Sequence, residues 1–212
     1  MLIDIDTVKK LLVDYNINVK GVLHIGAHNC EELPFYTETL SITPDKCIWI
    51  DAIQPQVDKV TRRGIPNVYQ AVITDKDNDV VIFNISNNIQ SSSILPLGTH
   101  KIHHDWVHYT HKLPLKTTTV DTFFKKHNLN AEKYDFWNFD IQGAELLALK
   151  GAIDSIKYAK AIYLEVNTEE VYKGCGLINE IDKFLFEYKF MRIETKMTNA
   201  GWGDALYIKM LN

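Results

Sequence analysis

The run Val22-Leu23-His24-Ile25, broken at once by Gly26-Ala27, constrains this chain more than any other stretch. Three aliphatic side chains in four positions, with no sustained polar alternation, describe a strand buried on both faces. Glu31-Glu32 follows at what reads as a helix start, so the local pattern is strand, tight turn, helix. Cys47 to Ile50 repeats it and ends in Asp51. In doubly wound α/β folds ligands bind at the carboxyl ends of such strands. A glycine closing the first strand lets backbone approach a ligand, and an acid closing the second accepts from both hydroxyls of a ribose. The alternative is a plain α/β turn with a surface acid.

The residue types narrow the nucleoside. A dinucleotide fingerprint needs G-x-G-x-x-G so that pyrophosphate can lie on a helix N-terminus. Here the segment is Gly26-Ala27-His28-Asn29-Cys30-Glu31, lacking the second and third glycines, and its acids repel phosphate. That disfavours an NAD-dependent oxidoreductase, and there is no Walker loop. A nucleoside with no phosphate and a positive charge fits, and S-adenosylmethionine is the common one.

With 212 residues, 46% of them hydrophobic, the chain suits one domain over 1–212, its first 20 residues carrying a helix that covers a sheet edge. Asp6 or Thr7 caps that helix, with Val8, Leu11, Leu12 and Tyr15 on its apolar face. A net charge of −4 offers no basic field for nucleic acid. Cys30, Cys47 and Cys175 have no paired spacing, which points to a reducing compartment. No signal peptide or transmembrane span is evident, so a cytoplasmic location is expected.

Further along, the spacing predicts a crossover helix over 31–40, a second helix over 54–63 and a third strand over 67–73. Val80 to Ile85 follows with no helix before it, which suggests a hairpin. A polar stretch around Ser91-Ser92-Ser93 leads into a histidine-rich segment, His100 to His111, containing Trp106. Thr117 to Val120 resumes β character, and Asp121 caps a short helix. Strands over 136–139 and 161–166, a helix over 178–188 and a last pair of strands joined by Asn199 to Gly203 complete the pattern. The fold class is therefore α/β, a Rossmann-like sheet of the class I methyltransferase kind, mostly parallel with an antiparallel C-terminal edge hairpin.

Several pieces, in order, carry a family resemblance: His24-Ile25-Gly26-Ala27, Trp49-Ile50-Asp51-Ala52, Gln90 to Leu95, Thr119-Val120-Asp121, Asp140-Ile141-Gln142-Gly143-Ala144-Glu145 and Gly203-Asp204-Ala205-Leu206-Tyr207. Together they resemble the FkbM family of S-adenosylmethionine-dependent methyltransferases. The chain departs from the family at His24, where an acid is frequent, near Cys30, where a glycine is, and at Asp51, where Glu is. The resemblance implies O-methylation of a sugar or polyketide hydroxyl, and similar domains sit beside glycosyltransferase modules in glycan-building proteins, including those of large DNA viruses. A sugar acceptor, rhamnose-type deoxysugars among them, is the leading expectation; a non-catalytic module that positions a glycosyltransferase partner is the alternative.

On this reading His24, Gly26, Ala27 and Asp51 hold the cofactor, and Ala71 and Val72 either flank its adenine or simply pack. Ser92 and Ser93 line the methionine end, line the acceptor, or belong to a solvated loop. Asp140 faces the methyl group and is one candidate base; the other is a loop histidine, His104 or His108, on either side of Trp106. Glu165, Asn167 and Trp202 lie on the acceptor side, Trp202 as a platform or as a core aromatic. Asp140 and Glu165 could offer oxygen ligands to Mg²⁺, but no third carboxylate is evident, Glu145 reading as a helix cap, so no metal is expected.

Overall fold

The computed structural model describes residues 1–210. In chain order the elements are α1 (Ile5–Asp14), β1 (Val22–Ile25), β2 (Cys47–Asp51), α2 (Gln54–Arg62), β3 (Val68–Gln70), β4 (Val72–Ile73), β5 (Val80–Ser86) and α3 (His100–His103). There follow β6 (Tyr109–Thr118), α4 (Val120–Lys126), β7 (Phe136–Phe139), α5 (Glu145–Lys150), β8 (Ala161–Asn167), α6 (Ile178–Glu187), β9 (Phe190–Met197) and β10 (Trp202–Lys209).

Seven strands form the main sheet in the order β3-β2-β1-β7-β8-β10-β9. The first five run parallel, and β10 is antiparallel to both β8 and β9. The order reverses between β1 and β7, so their carboxyl ends open a crevice at the middle of the sheet. Side chains of the central strands alternate between two cores, as a sheet buried on both faces requires. Leu23, Ile25, Trp137, Phe139, Ile162 and Leu164 meet α4, α5 and α6 on one face. Val22, Trp49, Phe136, Ala161 and Tyr163 meet α1 and the Phe35–Tyr36 pair on the other.

This arrangement matches the α/β class and the antiparallel C-terminal edge read from sequence, and several local expectations are corrected. Asp4, not Asp6 or Thr7, caps α1. That helix buries Val8 and Leu12 against a face of the sheet rather than its edge. The crossover helix expected over 31–40 is present but shorter, helical over 33–39, with its last five residues, Phe35–Thr39, in π geometry. His28 and Cys30, just before it, take positive φ (42° and 55°) and lie outside the helix. The wider turn sets Phe35 and Tyr36 side by side in the core, ring centroids 5.4 Å apart.

The strand expected over 67–73 splits at Ala71, whose N–H donates to the Asp51 carbonyl (3.0 Å). Beyond it β4 joins a second sheet, β4-β6-β5, in which β5 and β6 form an antiparallel pair. The β character of 117–120 is the end of the much longer β6. Thr119, not Asp121, caps α4; Asp121 instead accepts from the N–H groups of Asp154 and Ser155 (2.9 Å each). Trp202 lies in β10, paired with Asn167, rather than in a hairpin loop. Among the described residues no helix is long and apolar enough to cross a membrane.

Gly26 marks where the sheet is tightest. Its φ is +94°, and a Cβ built there would lie 1.8 Å from the Asp140 carbonyl oxygen. The glycine is demanded by the approach of β1 to the end of β7, which the sequence alone presents only as ligand access. Gly26→Ala is therefore expected to cost more than ~2 kcal/mol of stability, since both the conformation and the contact resist it. Chemical denaturation of the variant against the parent measures this.

Candidate active site

Two cavities meet at the crevice. The first opens beside the carboxyl ends of β1, β2 and β4. Asp51 closes one side: its Oδ2 accepts from the His28 N–H and its Oδ1 from the Ile53 N–H, both at 2.8 Å. These bonds fix the carboxylate and leave acceptor capacity toward the cavity. Burial pushes its pKa up from the ordinary value, the backbone N–H bonds acting against that. The remaining walls are mainly apolar, from Ile53, Ala71, Val72, Phe83, Ile94 and Ile141, with Ser92 among them.

The second cavity, of about 350 Å³, lies over the ends of β1, β7, β8 and β10 and beneath the segment that carries α3. Its floor holds His24, Asn138, Tyr163, Glu165 and Asp204; Tyr172, His100, His104, Trp106 and Trp202 stand around it. Gly26, His28, Gln90, Asp140 and Gln142 line both cavities and so mark their common boundary.

Gln142 organises that boundary. It occupies the left-handed region (φ 57°), next to Gly143 at φ 95°. Its Nε2 donates to Asp140 Oδ1 (2.7 Å) and to Glu165 Oε2 (2.9 Å), while its Oε1 accepts from the Tyr172 hydroxyl (2.6 Å). A neutral amide thus holds two carboxylates in place without a counter-charge. Glu145 steadies the same turn from behind: Oε1 accepts from the N–H groups of Ile141 (2.8 Å) and Gly143 (3.2 Å).

With no lysine or arginine among these acids, dehydration dominates their titration. Asp140 is open to the cavities, yet it sits deep in a concave wall where protein displaces most of its water. That raises its pKa, Asp204 and Glu32 adding to the shift against the Gln142 hydrogen bond. Glu165 is raised well above the usual range by burial and then by Asp140. Burial pushes Glu145 up to about 8.

His24 is enclosed. Its Nδ1 lies 2.9 Å from the Tyr36 hydroxyl, which accepts from Asn138 Nδ2 (2.8 Å), and its ring packs on Trp49 (centroids 4.9 Å). Tyr36 has one proton to give, and giving it to Nδ1 satisfies all three groups. His24 Nδ1 is therefore an acceptor already occupied, which rules out that nitrogen as a free base. Burial lowers the His24 pKa to about 4. His100 packs at a tilt against His104 (ring centroids 4.9 Å apart) and Tyr172 (5.5 Å), and its pKa is lowered by burial and by His104.

Of the residues singled out from sequence, Gly26, Asp51, Ala71, Val72, Ser92 and Asp140 gather at the first cavity. His24, His104, Glu165 and Trp202 gather with Asp140 at the second, His24 on the side away from Asp51. Four lie at neither. Ala27 is in the core; Ser93 bonds the Gln142 carbonyl (2.8 Å) and the Leu95 N–H (3.0 Å); His108 is exposed. Asn167 is wholly buried, its side-chain amide without a partner. Sequence reasoning missed Glu32, Asn138, Tyr163, Tyr172, His100 and Asp204 as cavity residues, and Gln142 as the clamp. Of these, only Gln142 and Asp204 stood inside the pieces that carry the family resemblance, where their chemistry was a usable signal. Among the described residues no group of three or more His, Cys, Asp or Glu is placed to hold a metal ion.

Comparison with known proteins gives one family. The model of the methyltransferase FkbM domain matches residues 24–191. Among solved structures, magnesium protoporphyrin IX methyltransferase from Synechocystis with bound S-adenosylmethionine superposes at a TM-score of 0.48 and 10% identity, covering 97% of this chain and 78% of that one. A SAM-dependent methyltransferase from Aquifex aeolicus gives 0.43 and 14%, covering 98% and 99%. No curated protein sequence matches the chain.

His24 supplies a pH signature. Its folded pKa lies below the ordinary 6.5, so its contribution to stability is present above pH 6.5 and is lost as pH falls toward 4. The loss should approach ~3 kcal/mol, from 1.36 kcal/mol per pKa unit. In urea melts from pH 4 to 7 the stability difference between parent and His24→Phe should follow this slope, because the raised carboxylates Asp140, Glu145 and Glu165 contribute the opposite slope to both proteins equally.

Proposed function

The chain belongs to the FkbM methyltransferase family, and from that premise we propose that this S-adenosylmethionine-dependent methyltransferase delivers its methyl group to a hydroxyl of a sugar, with Asp140 as the base. The observation that carries the reading is the meeting of a mainly apolar, acid-closed cavity with a polar, aromatic-rimmed one at a single carboxylate.

The first cavity fits the cofactor's adenosine. Asp51 has acceptor capacity left for the ribose hydroxyls, and Ala71, Val72 and Ile141 offer flat apolar walls for the purine. Bound there, S-adenosylmethionine supplies a methyl group on a positive sulfur that leaves as a neutral thioether.

The chain's own residues supply alignment and proton removal. Asp140 lies at the boundary, where an acceptor hydroxyl in the second cavity can reach it. The Gln142 amide fixes its carboxylate, and a pKa raised by dehydration makes it a stronger base than an exposed aspartate. Much of the acceleration would come from holding hydroxyl and methyl in line, which the fixed boundary favours.

The second cavity has the character of a carbohydrate site. Glu165 and Asn138 can bond hydroxyls, and Trp106 and Trp202 offer faces for sugar C–H groups. No lysine or arginine lines it, which disfavours phosphate-bearing acceptors such as nucleic acid.

Asp140→Asn should lower methyl transfer by ~10²–10⁴-fold, the usual range for a positioned base, with S-adenosylhomocysteine affinity changed only a few-fold. Transfer by the parent should fall on the acid side at a pH above the ordinary aspartate range, because protonated Asp140 cannot accept the hydroxyl proton. Asp51→Ala should weaken S-adenosylhomocysteine binding by at least ~10-fold, about 1.4 kcal/mol. Calorimetric titration checks the binding and a radiolabelled methyl assay on sugar acceptors the transfer. Normal binding by Asp51→Ala would mean that the cofactor lies elsewhere.

A further inference from the structure

We infer that His28 receives the α-carboxylate of S-adenosylmethionine, its imidazole held by Glu31 at the boundary between the two cavities. This rests on the placement of the cofactor proposed above and assigns the end of it that the adenosine cavity leaves unserved.

The amino-acid end of the cofactor carries an ammonium group and a carboxylate, and the cavities treat the two unequally. Glu31, Asp140 and Glu165 are among the acids at hand, so the ammonium group has acceptors. Among the described residues no lysine or arginine lines either cavity. Four histidines, His24, His28, His100 and His104, and the α-ammonium of Met1 remain to meet a carboxylate.

Position separates these five. His24 is enclosed, with Nδ1 occupied by Tyr36. His100, His104 and Met1 line only the second cavity, and the Met1 α-ammonium lies 3.9 Å from Glu32. Of the five, only His28 lines both cavities, together with Gly26, Gln90, Asp140 and Gln142.

His28 is also tied to the adenosine side. Its N–H donates to Asp51 Oδ2 (2.8 Å) from a left-handed backbone conformation (φ 42°), uncommon for a residue with a side chain. One residue therefore steadies the carboxylate that faces the ribose and carries a ring to the boundary. The ring is oriented by Glu31, whose Oε1 accepts from Nδ1 at 2.7 Å. The Asn29 amide nitrogen lies 3.1 Å from Nδ1 and 3.3 Å from Nε2. Such near-equal distances put it over the ring face rather than in line with either nitrogen. The in-plane direction of Nε2 is thus left for a ligand. With both nitrogens protonated the ring bridges two carboxylates, Glu31 on one side and the cofactor's on the other, each by a charge-assisted hydrogen bond.

The test is calorimetric titration of the full chain with three probes. S-adenosylhomocysteine carries both charged groups, its decarboxylated analogue keeps only the ammonium group, and 5′-methylthioadenosine has neither. The parent should bind S-adenosylhomocysteine about tenfold or more tighter than the decarboxylated analogue, as one charge-assisted hydrogen bond warrants. His28→Gly takes a positive φ without strain and keeps the N–H that Asp51 needs. It should weaken S-adenosylhomocysteine by a similar factor while changing the other two probes less than about twofold. If glycine loosens the turn, 5′-methylthioadenosine binding falls as well, and His28→Asn, which also accepts the left-handed conformation, takes its place with the same expectation.

Equal affinity of the parent for S-adenosylhomocysteine and its decarboxylated analogue overturns the inference. So does a loss in both variants that the decarboxylated analogue shares, or no loss at all. Each of these leaves the cofactor's placement standing. Failure of all three probes to bind the parent overturns that placement too.

Discussion

Everything at this site depends on how closely two backbones pass. The Asp140 N–H donates to the Ile25 carbonyl at 2.9 Å, and the Asp140 carbonyl occupies the space where Gly26 would carry a side chain. That contact sets the carboxylate at the divide between the two cavities. It also sets the height at which Gln142 and Glu145 meet the same turn, because both follow Asp140 within five residues. The central strands are buried on both faces, so the contact is carried on a rigid support and its geometry is not left to a loop.

The electrostatics follow from that placement. Sheet topology brings carboxylates from β8 and β10 to the end of β7, and no lysine or arginine arrives with them. Nature's usual remedy for buried charge is an ion pair; here it is an amide, a tyrosine hydroxyl and backbone N–H groups. Such neutral donors hold carboxylates in position while leaving their affinity for protons high.

How much of this was legible in the sequence varied with the kind of signal. Val22 to Ile25 and Phe136 to Phe139 were readable because strands buried on both faces leave uninterrupted apolar runs. Asp51, Ala71 and Val72 were placed through topology, since consecutive strand ends in an α/β sheet converge. The crossover helix was read two residues too early and without its π geometry, because a run of helix-compatible residues does not announce the left-handed residues before it. The second sheet was hidden because β4 is two residues long and its partner begins thirty-six residues after its end. Among the histidines, proximity to Trp106 in sequence favoured His108, while the fold turns it outward and brings His100 in, a distinction set by the α3 turn. Asp204 went unremarked because its role depends on β10 running antiparallel beside β8, a pairing between residues about forty positions apart.

The antiparallel pair β5–β6 has a consequence for how such a protein can diverge. The early part of the link between the two strands, through Ile94, borders the first cavity, whereas the later part, with His100, His104, Trp106 and Val107, borders only the second cavity. Both ends of that later part are anchored, by Ser93 on the Gln142 turn and by Asn87 on the His108 N–H. Exchange of the intervening residues, in length or in chemistry, would therefore remodel the second cavity without touching the hydrogen bonds that fix Asp51 beside the first. Substrate range could drift in a lineage, or be redesigned by grafting, as a trait separable from the donor chemistry.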